Sequence, residues 1–578
     1  MRRYSLDRIL LVIAAVSSLQ LTTAFVVPSA VNVQQKSHYL FQPLHASSIT
    51  TSSSINAIDD HETTSFPTVT FWIPQDSDAP PTQFGKAAPV DAPSIRQAVQ
   101  QLAQKCVWFA DGKLQTHILT IHNSEEDDDH DTKNILLNTN VLIAFGLSNK
   151  QDLQHAHSIF QQRLQNTEQH QASTQCQFAI DCTQHSAFSL DSFVGPFNPQ
   201  NLLTSSLPAT LFPWSQPASG KRFQQQMTQL FHKYSSDEFV FGILIFLNQF
   251  SGHSIDWVKH SIDATWEKGP LRNAQEVSSM VSQCGDCITA CVQDETCKAC
   301  LDKLQEYDTR DQVASYRTIV SFESQLLADF SYCILQKNNI FHCDATIPTM
   351  PSVPPMATFQ GQPMTTDIAR GILIGHLEGQ DEESLLFKSD ASGTTGGPVS
   401  WMVACGGNEA YDKFPSQHQI FYPTANKNNN MWYDPVFRVE TLDGRHVWCK
   451  RHYAVRPQSV PATFRFSVLD NGITSEEFWT IVDCEEENLD WIVFHYAGAA
   501  RAVGQRYLGG LVCTRTGALP EADQLPRVWK ACRAAGIEPW ELYCVDNDTQ
   551  SKGYLEAGEP PLDFFRKKVM AKRIPVAQ

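Results

Sequence analysis

The chain has 578 residues, 42% of them hydrophobic and 18% charged, a length and balance suited to roughly two to four domains with ordinary apolar cores. Its formal net charge is −18, which offers no basic surface for neutralising phosphates and argues against a nucleic-acid partner.

Read in chain order, Arg2, Arg3 and Arg8 precede an apolar run from Ile9 to Val16, and Thr22-Thr23-Ala24 forms a small-residue cleavage site. The pattern predicts a signal peptide over residues 1–24, too short for a membrane span. Phe25 follows the predicted cut, and the next stretch is rich in Ser, Thr and Gln and poor in acids. This arrangement resembles the bipartite presequence of algae with complex plastids, so residues 25–90 are expected to be transit peptide and disordered linker. No later stretch reaches the roughly 18 apolar residues that a span requires.

Residues 91–280 are expected to form a small α/β domain. Ile95, Val99, Leu102 and Cys106 recur at helical spacing and predict a helix over Ser94 to Cys106. Gln115 to His122 and Val141 to Phe145 read as strands, and Lys150 to Gln165 as a helix. The acidic run Glu125, Glu126, Asp127, Asp128, Asp129 and Asp131 reads as a solvated loop, because like charges in sequence repel and stay hydrated. Glu238 to Phe250 is a strongly apolar run that reads as a buried helix. The region carries neither a Gly-rich phosphate loop nor a nucleophile elbow.

Residues 281–345 are cysteine-dense and read as a helical segment. Cys284, Cys287, Cys291, Cys297 and Cys300 have the spacing C-x2-C-x3-C-x5-C-x2-C, with Cys333 and Cys343 beyond. Two C-x2-C pairs could hold zinc. Only nine residues separate the pairs, however, no histidine lies among them, and secretory entry permits oxidation. Cys287 and Cys291 share one helical face. Disulfides stapling a helical hairpin are therefore the expected reading, no metal is expected, and seven cysteines leave one over.

Residues 346–550 change to short β-rich runs separated by turns. Val436 to Leu442 and Arg445 to Val455 flank Asp443-Gly444; Ala462 to Leu469 and Phe478 to Cys484 flank Asn471-Gly472. Trp491 to Tyr496 and Leu508 to Thr514 follow, and Arg527 to Gly536 reads as a helix with a glycine cap. A meander of this kind predicts a closed antiparallel barrel of eight strands followed by one helix, a β-sandwich being the rival. Residues 551–578 form a mixed, basic tail.

The runs WYDPVFRVETLDGRHVW at 432–448, FSVLDNG at 466–472, EEFWTIVD at 476–483 and FHYAGAARAVGQRYLGG at 494–510 resemble the lipocalin domain of the violaxanthin de-epoxidase-related proteins. DEFVFGILIFLNQFSGHSIDWVKH at 237–260, TWEKGP at 265–270 and CKACLD at 297–302 are similar to the same family's upstream regions. The likeness is closer to the related group than to violaxanthin de-epoxidase itself, which has a glutamate-rich tail and no long N-terminal α/β region. What it implies is a plastid protein, in or on the thylakoid and peripheral to its galactolipid surface. The implied reaction converts violaxanthin towards antheraxanthin and zeaxanthin, with ascorbate as reductant. That chemistry asks for an apolar tunnel, and for a protonated carboxylic acid beside the epoxide.

By position in the family's motifs, Asp412 and Glu477 are the candidate catalytic acids, and Gln417, Trp479, Tyr496 and Cys513 the candidate substrate contacts. Glu477 stands where the de-epoxidase has an aspartate, and Cys513 where it has a tyrosine. Gln419 and Tyr422 replace its pair of pH-sensing histidines, with His418 adjacent. Each residue also has a plain structural reading: Asp412 as a turn cap, Glu476 and Glu477 as solvated hairpin residues, Trp479, Tyr496 and Cys513 as barrel core, and His418 as a surface residue. The alternatives to a de-epoxidase are a xanthophyll tautomerase (violaxanthin to neoxanthin), a lipocalin that carries a carotenoid or other lipid without chemistry, and an assembly factor. Convergence of Asp412 and Glu477 on one interior would favour an enzyme; an entirely apolar lining would favour a carrier, and a barrel filled by its own side chains the assembly factor.

Overall fold

A computed structural model describes residues 66–180 (apart from 79, 81–89, 122–129 and 171–175), 182, 239–244, 247, 258–260, 270–375 (apart from 305–311) and 401–547 (apart from 409–411, 413 and 425–429). The signal and transit segments, most of the acidic run, part of the 238–250 run and the C-terminal tail lie outside the described residues.

Near the N-terminus, β1 (Thr68–Ile73), β2 (Gln115–Thr120), β3 (Val141–Phe145) and β4 (Cys176–Ile180) form a parallel sheet in the order β2-β1-β3-β4. Side chains alternate across a strand, so Phe71 and Ile73 pack on helix α1 (Ile95–Phe109) while Trp72 faces the other way. Ser94 caps α1: its Oγ accepts from the Gln97 N–H at 3.2 Å, and the Gln97 side chain accepts from the Ser94 N–H at 2.9 Å. Helices α2 (His130–Asn138) and α3 (Lys150–His170) supply Leu136, Leu153, Ala156 and Ile159 to the opposite face. The sheet thus begins upstream of residue 91, inside the stretch expected to be linker, and TVTFWI is one of its two inner strands. Both faces of the strand are covered, so Thr70 is buried along with Val69, Phe71 and Trp72. Phe239, Val240, Phe241, Ile243, Leu244 and Leu247 are buried against the α1 side of the sheet.

The cysteine-rich region is helical: α4 (Pro270–Gln293), α5 (Glu295–Leu304), α6 (Gln312–Ser321) and α7 (Gln325–Ser331), the last running into a π-helical turn over Tyr332–Lys337. Cys291–Cys297 staples α4 to α5, and Cys284–Cys333 ties α4 to the π-helical turn. The expectation of disulfides holds for these four cysteines. Cys287, Cys300 and Cys343 belong to neither bridge, because the bridges join residues brought together across helix ends and not the C-x2-C neighbours. Each C-x2-C pair has thereby given one of its thiols to a bridge.

Downstream, β5 (Trp401–Gly406), β6 (His418–Pro423), β7 (Met431–Glu440), β9 (Tyr453–Pro457), β10 (Thr463–Asp470), β11 (Ile473–Cys484), β12 (Trp491–Ala500) and β13 (Gln505–Thr514) pair antiparallel in the order β6-β7-β9-β10-β11-β12-β13-β5. The pairing of β5 with β6 closes the circuit into an eight-stranded barrel, which removes free edges. A short β8 (His446–Lys450) folds back on β7 after the Asp443-Gly444 turn, and β14 (Tyr543–Cys544) is added outside β5. The interior is apolar and aromatic, and helix α8 (Thr366–Ile374) joins it through Ala369, Ile372 and Leu373. The Trp401 indole N–H points at the end of that helix, 3.1 and 3.0 Å from the Ile372 and Leu373 carbonyls. Helix α9 (Leu525–Ala534) lies outside on β11, β12 and β13 through Val528, Ala531 and Cys532.

The α/β domain and the barrel share a core. Ala497, Leu508 and Trp540 pack with the α1 cluster. Within it the Lys105 ammonium meets the Glu541 carboxylate at 2.7 Å, both side chains almost fully buried, and the Gln101 amide donates to Glu541 at 2.8 Å. Among the described residues no helix is long and apolar enough to cross a membrane.

Candidate active site in the barrel interior

Register decides which side chains point inward. Trp479 lies opposite Tyr496, Glu477 opposite Gly498, Tyr496 opposite Gly509, and Gly498 opposite Tyr507. Residues 477, 479 and 481 of β11 therefore share the inner face with 494 and 496 of β12 and with 507, 511 and 513 of β13. All three strands belong to the same antiparallel meander, so a single register fixes the whole constellation.

Asp412 enters from the connection between β5 and β6. It is 4% exposed, and its Oδ2 accepts from the Tyr496 hydroxyl at 2.8 Å and from the Asn408 N–H at 2.8 Å. Burial pushes its carboxyl up to about 7; the hydrogen bonds from Asn408 and Tyr496 work against that rise, and the charge of Glu477 adds to it. Glu477 is 7% exposed, with Oε1 accepting from the Tyr507 hydroxyl at 2.7 Å and Oε2 from the Trp479 indole N–H at 2.6 Å. Burial raises its pKa as well, against the pull of those two donors. Tyr496 is held well above the usual phenol range by burial and by the Asp412 charge, so it remains a donor.

Aromatic rings wall this polar cluster. Trp479 stacks on Phe466 with centroids 4.6 Å apart and on Tyr496 at 5.3 Å, and it also meets Tyr433 and Phe494. Tyr433 donates to the Gln419 side chain, a second polar pair among the rings. Cys513 is fully buried in the same cluster, and the Asp412 charge adds to the burial that raises its thiol pKa.

Asp412, Glu477, Trp479, Tyr496 and Cys513 thus converge in one interior. Gln417 is 4% exposed, its N–H donates to the Asn547 side chain at 3.0 Å, and its carbonyl accepts from the Val403 N–H at 3.1 Å. Asp412 caps the Asn408 turn and holds the Tyr496 hydroxyl at the same time. Glu476 behaves as the hairpin residue it was read to be, half-exposed and paired with Arg465 at 2.8 Å, whereas Glu477 does not. His418 departs from its surface reading: it is 3% exposed, and the Trp448 ring lies 6.3 Å from it.

Sequence reasoning missed Tyr507, Asn408, Gly498 and Gly509. A Cβ on Gly498 would lie 2.1 Å from the Tyr507 ring, and one on Gly509 would lie 2.2 Å from that of Tyr496. Each tyrosine crosses the neighbouring strand through the gap that the other strand's glycine leaves. The signal was present as a Tyr-x-Gly step repeated on consecutive strands, Tyr496-Ala497-Gly498 and Tyr507-Leu508-Gly509, but only the register shows that the two interlock.

A profile of the VDE lipocalin domain matches residues 276–547. No curated protein matches the chain. Among solved structures, apocrustacyanin C1 is 12% identical with a TM-score of 0.21 over 38% of this chain and 99% of its own. Lobster apocrustacyanin A1 is 10% identical with a TM-score of 0.21 over 38% and 98%, and H1 crustacyanin from the lobster Homarus americanus is 10% identical with a TM-score of 0.18 over 29% and 81%.

Proposed function

Taking as premise that residues 276–547 are a VDE lipocalin domain, we propose that this barrel is an enzyme acting on epoxy-xanthophylls by acid-assisted epoxide opening. The observation that carries the reading is the meeting of two buried carboxyls, each held by a tyrosine hydroxyl, inside an aromatic wall. A carrier of an apolar ligand has no use for two desolvated acids, whereas an acid catalyst uses one as the proton donor.

Asp412 holds a proton below pH 7, within reach of its pKa of about 7, and Tyr496 and Asn408 fix the carboxyl in place. The proton goes to the epoxide oxygen as the C–O bond lengthens. Glu477, aligned by Tyr507 and Trp479, faces the same interior and stabilises the positive charge that develops on carbon. Trp479, Phe466, Phe494 and Tyr433 exclude water and present flat faces to a polyene. Removal of each epoxide oxygen consumes two electrons and two protons in all, the proton from Asp412 among them, and releases one water. Ascorbate as the electron source, the thylakoid lumen or its membrane surface as the place of action, and entry by signal plus transit peptide all carry over from the resemblance and are part of this proposal.

A tautomerisation is the second reading, favoured by the pairing itself. Two acids whose charges repel tend to share one proton, which supplies an acid and a base together, and such a rearrangement needs no electrons. The test is pigment analysis of the purified full-length protein with violaxanthin, a galactolipid and ascorbate between pH 5 and 7. Ascorbate-dependent product supports de-epoxidation, ascorbate-independent product supports tautomerisation, and bound but unchanged pigment defeats both.

A further inference from the structure

Cys405, near the end of β5, and Cys544, on β14, are direct cross-strand partners. The Val545 N–H donates to the Ala404 carbonyl at 3.0 Å, which makes residues 404 and 545 a hydrogen-bonded pair. Antiparallel pairs alternate, so Cys405 and Cys544 occupy the non-hydrogen-bonded position, where Cα atoms lie about 4.5 Å apart and side chains approach most closely. That spacing is inside the roughly 4.4–6.8 Å over which a disulfide closes without moving backbone. Both thiols are free; Cys405 is fully buried and Cys544 is exposed. Burial, and after it the proximity of the Cys532 and Cys544 thiols, pushes the Cys405 thiol up.

β14 leads into a clamp on the proposed active-site loop. The Asp546 carbonyl accepts from the Ser416 N–H at 2.9 Å, the Asn547 side chain accepts from the Gln417 N–H at 3.0 Å, and the Asn547 amide donates to the carbonyls of Val403 and Gly517 at 2.6 and 3.1 Å. This strap fastens the connection that carries Asp412. The residue after Cys405 is Gly406, where an added Cβ would lie 2.2 Å from Asp412.

We propose that Cys405 and Cys544 form a reversible disulfide that locks the C-terminal strap onto the loop bearing Asp412. The exposed Cys544 thiolate attacks a small-molecule or protein disulfide and expels one thiol. Cys405 then attacks the Cys544 sulfur and expels the second. The cysteine pair loses two electrons and two protons, and the attacked disulfide is reduced to two thiols. The lock concerns the strap and does not depend on which reaction the barrel performs.

The experiment uses the full-length protein equilibrated in glutathione buffers of graded potential, then alkylated and digested without reduction. A linked peptide joining Cys405 to Cys544, absent in Cys544→Ser while Cys284–Cys333 and Cys291–Cys297 persist, is the expected result. Amide exchange at Ser416 and Gln417, whose N–H groups the strap holds, should slow by about tenfold or more on oxidation in the native chain and not in Cys544→Ser. Either of two outcomes overturns the proposal: Cys405 linked only to Cys532 or to nothing at every potential, or the 405–544 link present with exchange at Ser416 and Gln417 unchanged.

Discussion

At the scale of single residues, the account rests on protons held by buried carboxyls. Asp412→Asn and Glu477→Gln keep the shape and remove the acid. Each should lower turnover by roughly 10²–10⁴-fold, Asp412→Asn through loss of the general acid and Glu477→Gln through loss of the charge that faces the developing cation, with the far-ultraviolet circular dichroism unchanged. Turnover within a factor of about three of the native rate in both would remove these residues from the mechanism. The raised Asp412 pKa also has a consequence for stability. Between its ordinary value of 3.8 and its folded value of about 7, the native state holds a proton that the unfolded chain releases, so stability falls as pH rises through this window. A shift of that size corresponds to on the order of 4 kcal/mol. The melting temperature should therefore decline from pH 4 to pH 7 more steeply in the native protein than in Asp412→Asn; parallel curves would show that Asp412 is not the group responsible.

At the scale of elements, much of the barrel was legible and its interior was not. The Asp443-Gly444 and Asn471-Gly472 turns, with alternating residues on either side, marked two hairpins, and β7, β8, β10 and β11 lie where those signals put them. β1 escaped because TVTFWI alternates only over its first four residues and sits beside a Ser- and Thr-rich stretch. Asp412 and Glu477 could be nominated by motif position, but their meeting depends on barrel closure, which joins residues more than sixty positions apart. Tyr507 became visible only through register. The helices on the barrel's flank have a role the cysteine spacing alone did not reveal: the Gln336 side chain, in the π-helical turn fastened by Cys284–Cys333, accepts from the Thr474 N–H at 2.8 Å, near the start of the strand that carries Glu477. A disulfide of this kind contributes roughly 2–4 kcal/mol. Reduction with dithiothreitol should raise protease cleavage within residues 281–345 and slow turnover. Cleavage that is the same with and without reductant would detach the bridges from the fold of this region.

At the scale of the whole molecule, the α/β domain is bound to the barrel through a buried ion pair. Removing one partner leaves the other charge buried and alone, a loss of about 3–5 kcal/mol. Glu541→Gln should lower the unfolding midpoint and separate the melting of the two domains; one cooperative transition at the native midpoint would contradict this role for Lys105 and Glu541. The distribution of histidines bears on how the molecule answers acid. His418 is buried, and His452 is held at 2.5 Å by Asp434 while stacking on Trp432 at 4.3 Å. Asp434 is kept below the usual carboxylate range: burial alone would raise it, but the hydrogen bond from His452 and the charge of Lys450 outweigh that. Gln419 and Tyr422, on the same strand as His418, carry no imidazole. Liposome co-sedimentation should therefore change gradually with acid between pH 7 and 4.5, and a steep step near pH 6 would contradict this.

The proposed function assigns acid-assisted chemistry on an epoxy-xanthophyll to the barrel interior. The most direct test is chromatography of violaxanthin incubated with the native protein and with Asp412→Asn, in galactolipid at pH 5 to 7, with and without ascorbate. The account predicts a new pigment from the native protein whose formation falls as pH rises past 7 and nearly vanishes in Asp412→Asn. Violaxanthin recovered unchanged from the native protein under every condition, or product formed equally by both proteins, would contradict it.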